Sequence, residues 1–410
     1  MLISARRVAT LGVACTLGSM VSQTAFGDDK TFSEAIAGGQ AYLTFNSRYE
    51  FVDQDNPLDE ASALTLLTRF GYKTDSWNNL SAHVEFEDSR ILFGFDEFSV
   101  PPTGFNAGEF SVIADPETTE LDQAYLQYAN KESGLTVRAG RQIVSYDSQR
   151  FVGAVPWRQD WQTFDGLHAE YRGIDKLTVK AGHLYKRNRI FARERDLDSS
   201  DNLIDVSYET SIGTLGGYAY LLEVDTDANN SLDTVGLRFS GSRPVGENVL
   251  SYKLEYATQD AEQGASDFSA DYVFAEGALK VKPVTVKLGL EVLGTDGGEY
   301  GFATPLATLH KFNGWADLFL ATPAAGLQDR YLTVAGKVEK FNYAVIFHDF
   351  VSDTPVGGAD DLGSEVNVLI TRPIGARYKY GFKYATYSAG SENFATVDTE
   401  RLWMWLSAKF

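Results

Sequence analysis

The chain has 410 residues, a formal charge of −20 with pI near 4.7, 44% hydrophobic content and 13% aromatic content, with 21 Tyr and 26 Phe. Its single cysteine, Cys15, falls in the first 27 residues, which excludes thiol and disulfide chemistry from the remainder. No stretch reaches the ~20 apolar residues of a membrane-spanning helix, and a length that usually divides into two or three helix-and-strand domains shows no sustained helical period.

At the start of the chain, Arg6 and Arg7 precede a mostly apolar stretch from Val8 to Val21, and Ala25 and Gly27 stand three and one residues before a cleavage point. That is the pattern of a secretory signal peptide over residues 1–27. A competing lipoprotein reading acylates Cys15 after Gly12-Val13-Ala14, with the usual leucine one place too far back. Residues 28–38 are expected as a short periplasmic segment and 39–410 as an all-β unit.

Within that unit we read strands at 39–52, 62–72, 78–91, 119–130, 135–146, 164–172, 176–191, 202–210, 213–224, 232–243, 248–258, 268–281, 284–293, 327–339, 341–350, 362–373, 376–388 and 397–410. The period is plain at 284–292, where Val284, Val286, Leu288, Leu290 and Val292 alternate with Thr285, Lys287, Gly289 and Glu291. A soluble sandwich shows the same alternation. The rhythm of the connections separates the two cases. Gaps after odd strands are long, such as Leu92 to Thr118 and Gly294 to Gly326; those after even strands are short, such as Lys131 to Gly134 and Lys282-Pro283. Outer-membrane barrels alternate short periplasmic turns with long extracellular loops. The reading is therefore a transmembrane antiparallel up-and-down β-barrel of 18 strands with both termini periplasmic. The last strand, ending on the aromatic Phe410, resembles the sorting signal of such barrels, which implies outer-membrane lipid and lipopolysaccharide as surroundings and the outer-membrane assembly machinery as a partner.

Charge is distributed by region. The nine long gaps hold roughly 27 Asp and Glu against roughly 5 Lys and Arg, leaving the wall and turns near neutral. Asp53, Asp55, Asp59 and Glu60 in the first loop and Asp353, Asp360 and Asp361 in the eighth face outward, as a hydrated acidic rim or as ligands for divalent cations. Opposite the greasy face stand Arg48, Arg69, Arg138, Lys180, Arg238, Lys253, Lys280, Lys287, Lys337, Arg377, Lys379 and Lys383, with Glu85, Asp205, Glu223, Glu255, Glu276, Glu291 and Glu339. Such charges should line a polar lumen, either as a ladder of ion pairs or as a path that attracts an anionic solute.

The segment RAGRQIVSYDSQRFVGAVPWRQDWQTFDG begins at Arg138 and closes at Gly166; with Phe312-Asn313-Gly314-Trp315-Ala316-Asp317 further on, it resembles the alginate-export family of outer-membrane porins. The resemblance implies an 18-stranded barrel with an Arg- and Lys-rich lumen, passing in the family's named member a polyuronate, and makes Arg138, Arg141, Gln142, Arg150, Trp157 and Arg158 candidates for a constriction. The many lumen carboxylates depart from a dedicated polyanion exporter and leave an uptake channel or a less selective pore open. Arginine suits a carboxylated sugar through its planar fork. The third loop is expected to fold toward the lumen.

His83, His168, His183, His310 and His348 are scattered without metal spacing, and no serine-centred elbow appears, which argues against an enzyme. Asp165 near His168 is a coincidence of sequence. No cofactor box, metal motif or nucleic-acid signature is visible, so transport should be passive. An adhesin whose acidic loops bind a partner is the rival of another class.

Overall fold

The computed structural model describes residues 30–226 and 230–410; the expected signal peptide and Asp227 lie outside the described residues. A short helix, α1 (Phe32–Ala37), capped by Thr31 and Glu34, occupies the expected N-terminal segment. Eighteen long strands follow: β1 (Gln40–Gln54), β2 (Ala61–Lys73), β3 (Leu80–Glu97), β4 (Thr118–Asn130), β5 (Leu135–Gln142), β6 (Thr163–Tyr171), β7 (Leu177–Asn188), β8 (Leu197–Thr210), β9 (Gly213–Glu223), β10 (Asn230–Val245), β11 (Asn248–Gln263), β12 (Ser266–Val281), β13 (Val284–Leu293), then β16 (Leu327–Val338), β17 (Phe341–Val356), β18 (Ala359–Ile374), β19 (Tyr378–Ala389) and β20 (Thr399–Lys409). A two-stranded ribbon, β14 (Thr295–Asp296) with β15 (Tyr300–Gly301), lies in the long connection before β16.

Each long strand pairs antiparallel with the next, and β1 pairs with β20 from Thr44↔Lys409 to Gln54↔Thr399, closing the sheet. Closure leaves no edge, which is what a sheet in hydrocarbon requires. Both ends of the sheet meet at one end of the barrel, where Phe410 exchanges backbone hydrogen bonds with Leu43 at 2.8 and 3.1 Å.

Strand alternation sorts side chains as expected. Outward, Val286, Leu288 and Leu290 on β13 are exposed, as are Phe86, Leu126, Leu237, Leu254 and Met404 around the wall. Such a belt is an aggregation surface in water and the wetted face in a bilayer. Inward, Arg48, Glu50, Arg69, Glu85, Asp205, Glu255 and Glu291 are buried. Four inward rings lie flat on the wall because the paired residue is glycine: Tyr42 over Gly71, Tyr218 over Gly236, Tyr331 over Gly289 and Trp405 over Gly381. A Cβ at Gly381 would come within 2.0 Å of the Trp405 indole. Glycine therefore converts projecting rings into a flat lining.

Several expectations are corrected. The sixth and eighth outer connections, read as long, are tight turns after Gln263 and Val356, at Gly264 (φ +66°) and at Gly357-Gly358 (φ +60° and +87°). There β11, β12, β17 and β18 run on past the apolar belt, their polar residues continuing the ladder in water, and Asp353, Asp360 and Asp361 sit on strand ends. Strand β5 stops at Gln142 rather than 146. Glu223 shares the outward face of Leu221, opposite Tyr218 and Tyr220, rather than the lumen.

Candidate functional site

The connection 143–162 leaves the wall between β5 and β6 and turns inside the barrel; we call it L3. Gln142 holds its neck, its amide nitrogen donating to the carbonyls of Gly140 at 3.3 Å and Gly166 at 3.2 Å. Val144, Tyr146, Phe151 and Val152 are buried against Tyr218, Tyr220 and Tyr272 of the wall. The connection 294–326, here L7, also enters. It binds L3 edge to edge, Gly153 N–H to Leu306 O at 2.8 Å and Thr308 N–H to Gln149 O at 3.0 Å, with the Gln162 amide nitrogen bonding both Gly153 O and Leu306 O. Asp115, from the connection between β3 and β4, reaches the same place. The lumen is thus crossed by two loops hydrogen-bonded to each other.

Ion pairs fasten them to the wall. Arg158 of L3 meets Glu50 of β1 at 3.3 Å, Asp317 of L7 at 2.9 Å and Asp115 at 3.9 Å. Arg401 of β20 joins Glu50 and Asp317 at 3.5 Å each, and Arg48 of β1 pairs with Asp115 and, at 3.6 Å, with Glu50. Three guanidinium groups and three carboxylates balance, with no side chain more than 6% exposed. Buried charge is tolerable only with such pairing, and removing one partner leaves the others uncompensated. Arg150 forms a second anchor, 2.8 Å from Glu291 and donating to the Asn313 side-chain Oδ1 at 3.0 Å.

The motif Phe312–Asp317 is the clasp of L7. The backbone N–H groups of Trp315 and Ala316 donate to Glu365 of β18, and Gly314 (φ +84°) lies so close that a Cβ would sit 2.2 Å from that carboxylate. Lys383 of β19 donates to His310 Nε2 at 2.6 Å, and His310 Nδ1 donates to Asp317 at 2.7 Å. Trp157 stacks on His310 at 4.9 Å, and the Lys383 Nζ lies 4.3 Å from the Trp157 ring, 3.9 Å from Trp315 and 5.2 Å from Trp403. Burial pushes the His310 imidazole down to about 3 against the pull of Asp317. At Asp317 burial would raise the carboxyl, but His310, Arg401 and Arg158 overcome it and hold it below the ordinary range.

The expected lumen cations therefore divide. Arg69 is sealed among Glu85, Asp122 and Glu87 beneath the Trp161 ring, and Arg238 is paired with Asp205 at 2.7 Å. Lys287 meets Glu276 at 3.3 Å. Arg138 donates to Gln127 at 2.8 Å, and Lys180 lies over the Tyr146 ring. Lys337 and Lys379 have no carboxylate within 4.0 Å among the described residues. Arg141 is a correction: it pairs in register with Ala124 and Asp165 and makes a two-pronged bond to Asp165 at 2.8 and 3.1 Å on the outer face. Residues 138 and 141 are three apart in one strand and so cannot share a face. The role of L7 as a second inward loop was missed, although its Phe312–Asp317 run carries the signal.

At the end where β1 begins and β20 finishes the lumen opens into a vestibule of about 990 Å³, faced by Lys73, Lys379, Lys409, Trp157, Trp161 and Trp405. Among the described residues no helix is long and apolar enough to cross a membrane, and no group of three or more His, Cys, Asp or Glu could hold a metal ion.

Comparison with known proteins agrees with this geometry. The family described as Alginate export matches residues 43–293. No curated protein matches the chain in sequence. Among solved structures, OccAB4 of Acinetobacter baumannii superposes with a TM-score of 0.71 at 15% identity, covering 91% of this chain and 98% of that one. OccAB3 of the same organism gives 0.70 at 12% identity, covering 92% and 100%, and OpdL of Pseudomonas aeruginosa gives 0.68 at 16%, covering 91% and 99%. At these identities the likeness is one of fold.

Proposed function

The chain belongs to the alginate-export family of outer-membrane channels, and on that premise we propose that it passes small hydrophilic anions passively, with its termini in the periplasm and its long loops outside the cell. The observation that carries the charge preference is the division of the cations. Arginines at the crossing are consumed by carboxylates, whereas Lys73, Lys379 and Lys409 face the vestibule with no carboxylate within 4.0 Å among the described residues. The field at the mouth of a narrow path governs which ions enter it. A polysaccharide strand would have to force apart a pair of loops tied together by hydrogen bonds and by a balanced network of buried ion pairs, so the reading favours small solutes over polymer. Export through the signal at 1–27 and recognition of the last strand by the assembly machinery complete the proposal.

The test is the reversal potential of the purified barrel in planar bilayers under a KCl gradient. A potential of the sign set by chloride is expected. Cation preference overturns the reading.

A further inference from the structure

A recess of about 450 Å³ opens off the vestibule beside the loop crossing, sharing Trp157, Lys379 and Trp405 with it. No Asp or Glu lines it, and no Arg; its charged groups are Lys311, Lys379 and Lys383. The neighbouring recess of about 330 Å³ differs, because Glu276, Glu291 and Asp329 line it alongside its lysines. The first recess is also walled by indoles. Trp405 lies flat on Gly381 and so offers a ring face, and Trp157 meets it edge-on, 5.4 Å away at 88°. The carboxylates of the L7 clasp are engaged elsewhere: Asp317 by Arg158 and His310, and Glu365 by the backbone of Trp315 and Ala316.

We propose that this recess binds a single six-membered ring carrying a phosphomonoester, a sugar phosphate, with the ring on Trp405 and the phosphate on Lys379. The inference rests on the anion-channel reading. A lining with lysine and no acid, in which Lys383 is bonded to His310 and Lys311 to Ser148 O while Lys379 is exposed, matches a phosphate better than a carboxylate, whose planar pair of oxygens is matched by an arginine fork that the recess lacks. The volume lies at the lower end of the range of small-ligand sites and holds one ring rather than a chain.

The experiment measures interruption of the single-channel chloride current by glucose 6-phosphate, glucuronate, inorganic phosphate and glucose, with the intact barrel. Glucose 6-phosphate is expected to act at concentrations at least about tenfold below the other three. Lys379→Gln should remove that advantage and Lys379→Arg should restore some of it, while Trp405→Ala should lower glucose 6-phosphate to the level of inorganic phosphate. Equal or stronger action by glucuronate overturns the assignment of phosphate. Equal action by inorganic phosphate overturns the role of the ring. Because Lys379 is exposed, its variants should fold and insert as the parent does, and an unaltered heat-modifiable gel mobility reports this. The KCl reversal potential of the same channels separates the outcomes: anion preference without selective block sinks only the recess, whereas cation preference sinks the channel reading beneath it.

Discussion

Arg158, next to Trp157 in L3, and Lys379, which lines the vestibule with Trp157, are both cationic and both inside the barrel, yet their surroundings are opposite. Arg158 is dry and meets three carboxylates from β1, L7 and the connection before β4; Lys379 is wet and meets none within 4.0 Å among the described residues. The planar guanidinium can bridge several acids at once, so it serves as a rivet between loops and wall, while a flexible ammonium left unpaired serves as a mobile charge facing solute. Counting cations along a barrel wall therefore overstates its attraction for anions. The cations that matter are those whose acids are missing.

The largest expected effect comes from removing the riveted region outright. Deleting Phe151 to Trp161 takes away Arg158 and the apolar tip of L3, and single-channel conductance should rise severalfold; unchanged conductance would show that L3 does not limit the path. Asp317→Ala is the next step down. It strips Arg158, Arg401 and His310 of a shared partner, with an expected loss of about 3–5 kcal/mol, measured as a lower temperature for the gel-mobility shift of the folded barrel together with frequent openings to a larger conductance. A variant as stable and as quiet as the parent would mean the network is ornamental.

On the wet side, Lys379→Glu combined with Lys409→Glu should leave stability alone and move the reversal potential toward cation preference. The move should shrink at 1 M salt, where the screening length falls to about 3 Å, whereas the effects of Asp317→Ala should persist. If the lysine variants proved as destabilising as the aspartate one, the division between the two regions would be wrong.

The smallest effect is with pH. His310 is depressed from 6.5 to about 3, so the unfolded chain takes up its proton first. Stability should then fall as pH drops below 6.5 and level off near 3, with about 2 kcal/mol lost by pH 5. His310→Gln should flatten that slope. Asp317, also depressed, keeps its contribution above its ordinary 3.8 and adds nothing to the slope between pH 7 and 5.

The wall was legible in the sequence because a strand's two faces are written in steps of two. All eighteen strands read from alternation are present, and Leu288 outside with Lys287 inside is the rule applied locally. Where the rule was not applied, the reading failed: Arg138 and Arg141 were grouped by motif although an odd step of three places them on opposite faces. The tips of β11, β12, β17 and β18 escaped because their residues turn polar where the lipid ends, which looks like loop. The crossing was illegible for a different reason. Arg158 finds Glu50 and Asp317 at sequence separations of 108 and 159, and no local pattern announces such partners. Of the two roles the sequence left open for the wall cations, a ladder of ion pairs or a path for anions, the structure puts Arg48, Arg158 and Arg401 in ion pairs.

The seam between β1 and β20 also sets the order in which the barrel can be made. Thr44 meets Lys409 only after nearly the whole chain has been synthesised, and every other pairing in the wall joins neighbours along the chain. Hairpins can accumulate from the first strands onward, but until the final twelve residues arrive the growing sheet carries two open rows of amides that lipid cannot satisfy. A chain cut before Thr399 lacks the strand with which β1 and β19 both pair, so its sheet keeps two open edges and stays a ribbon.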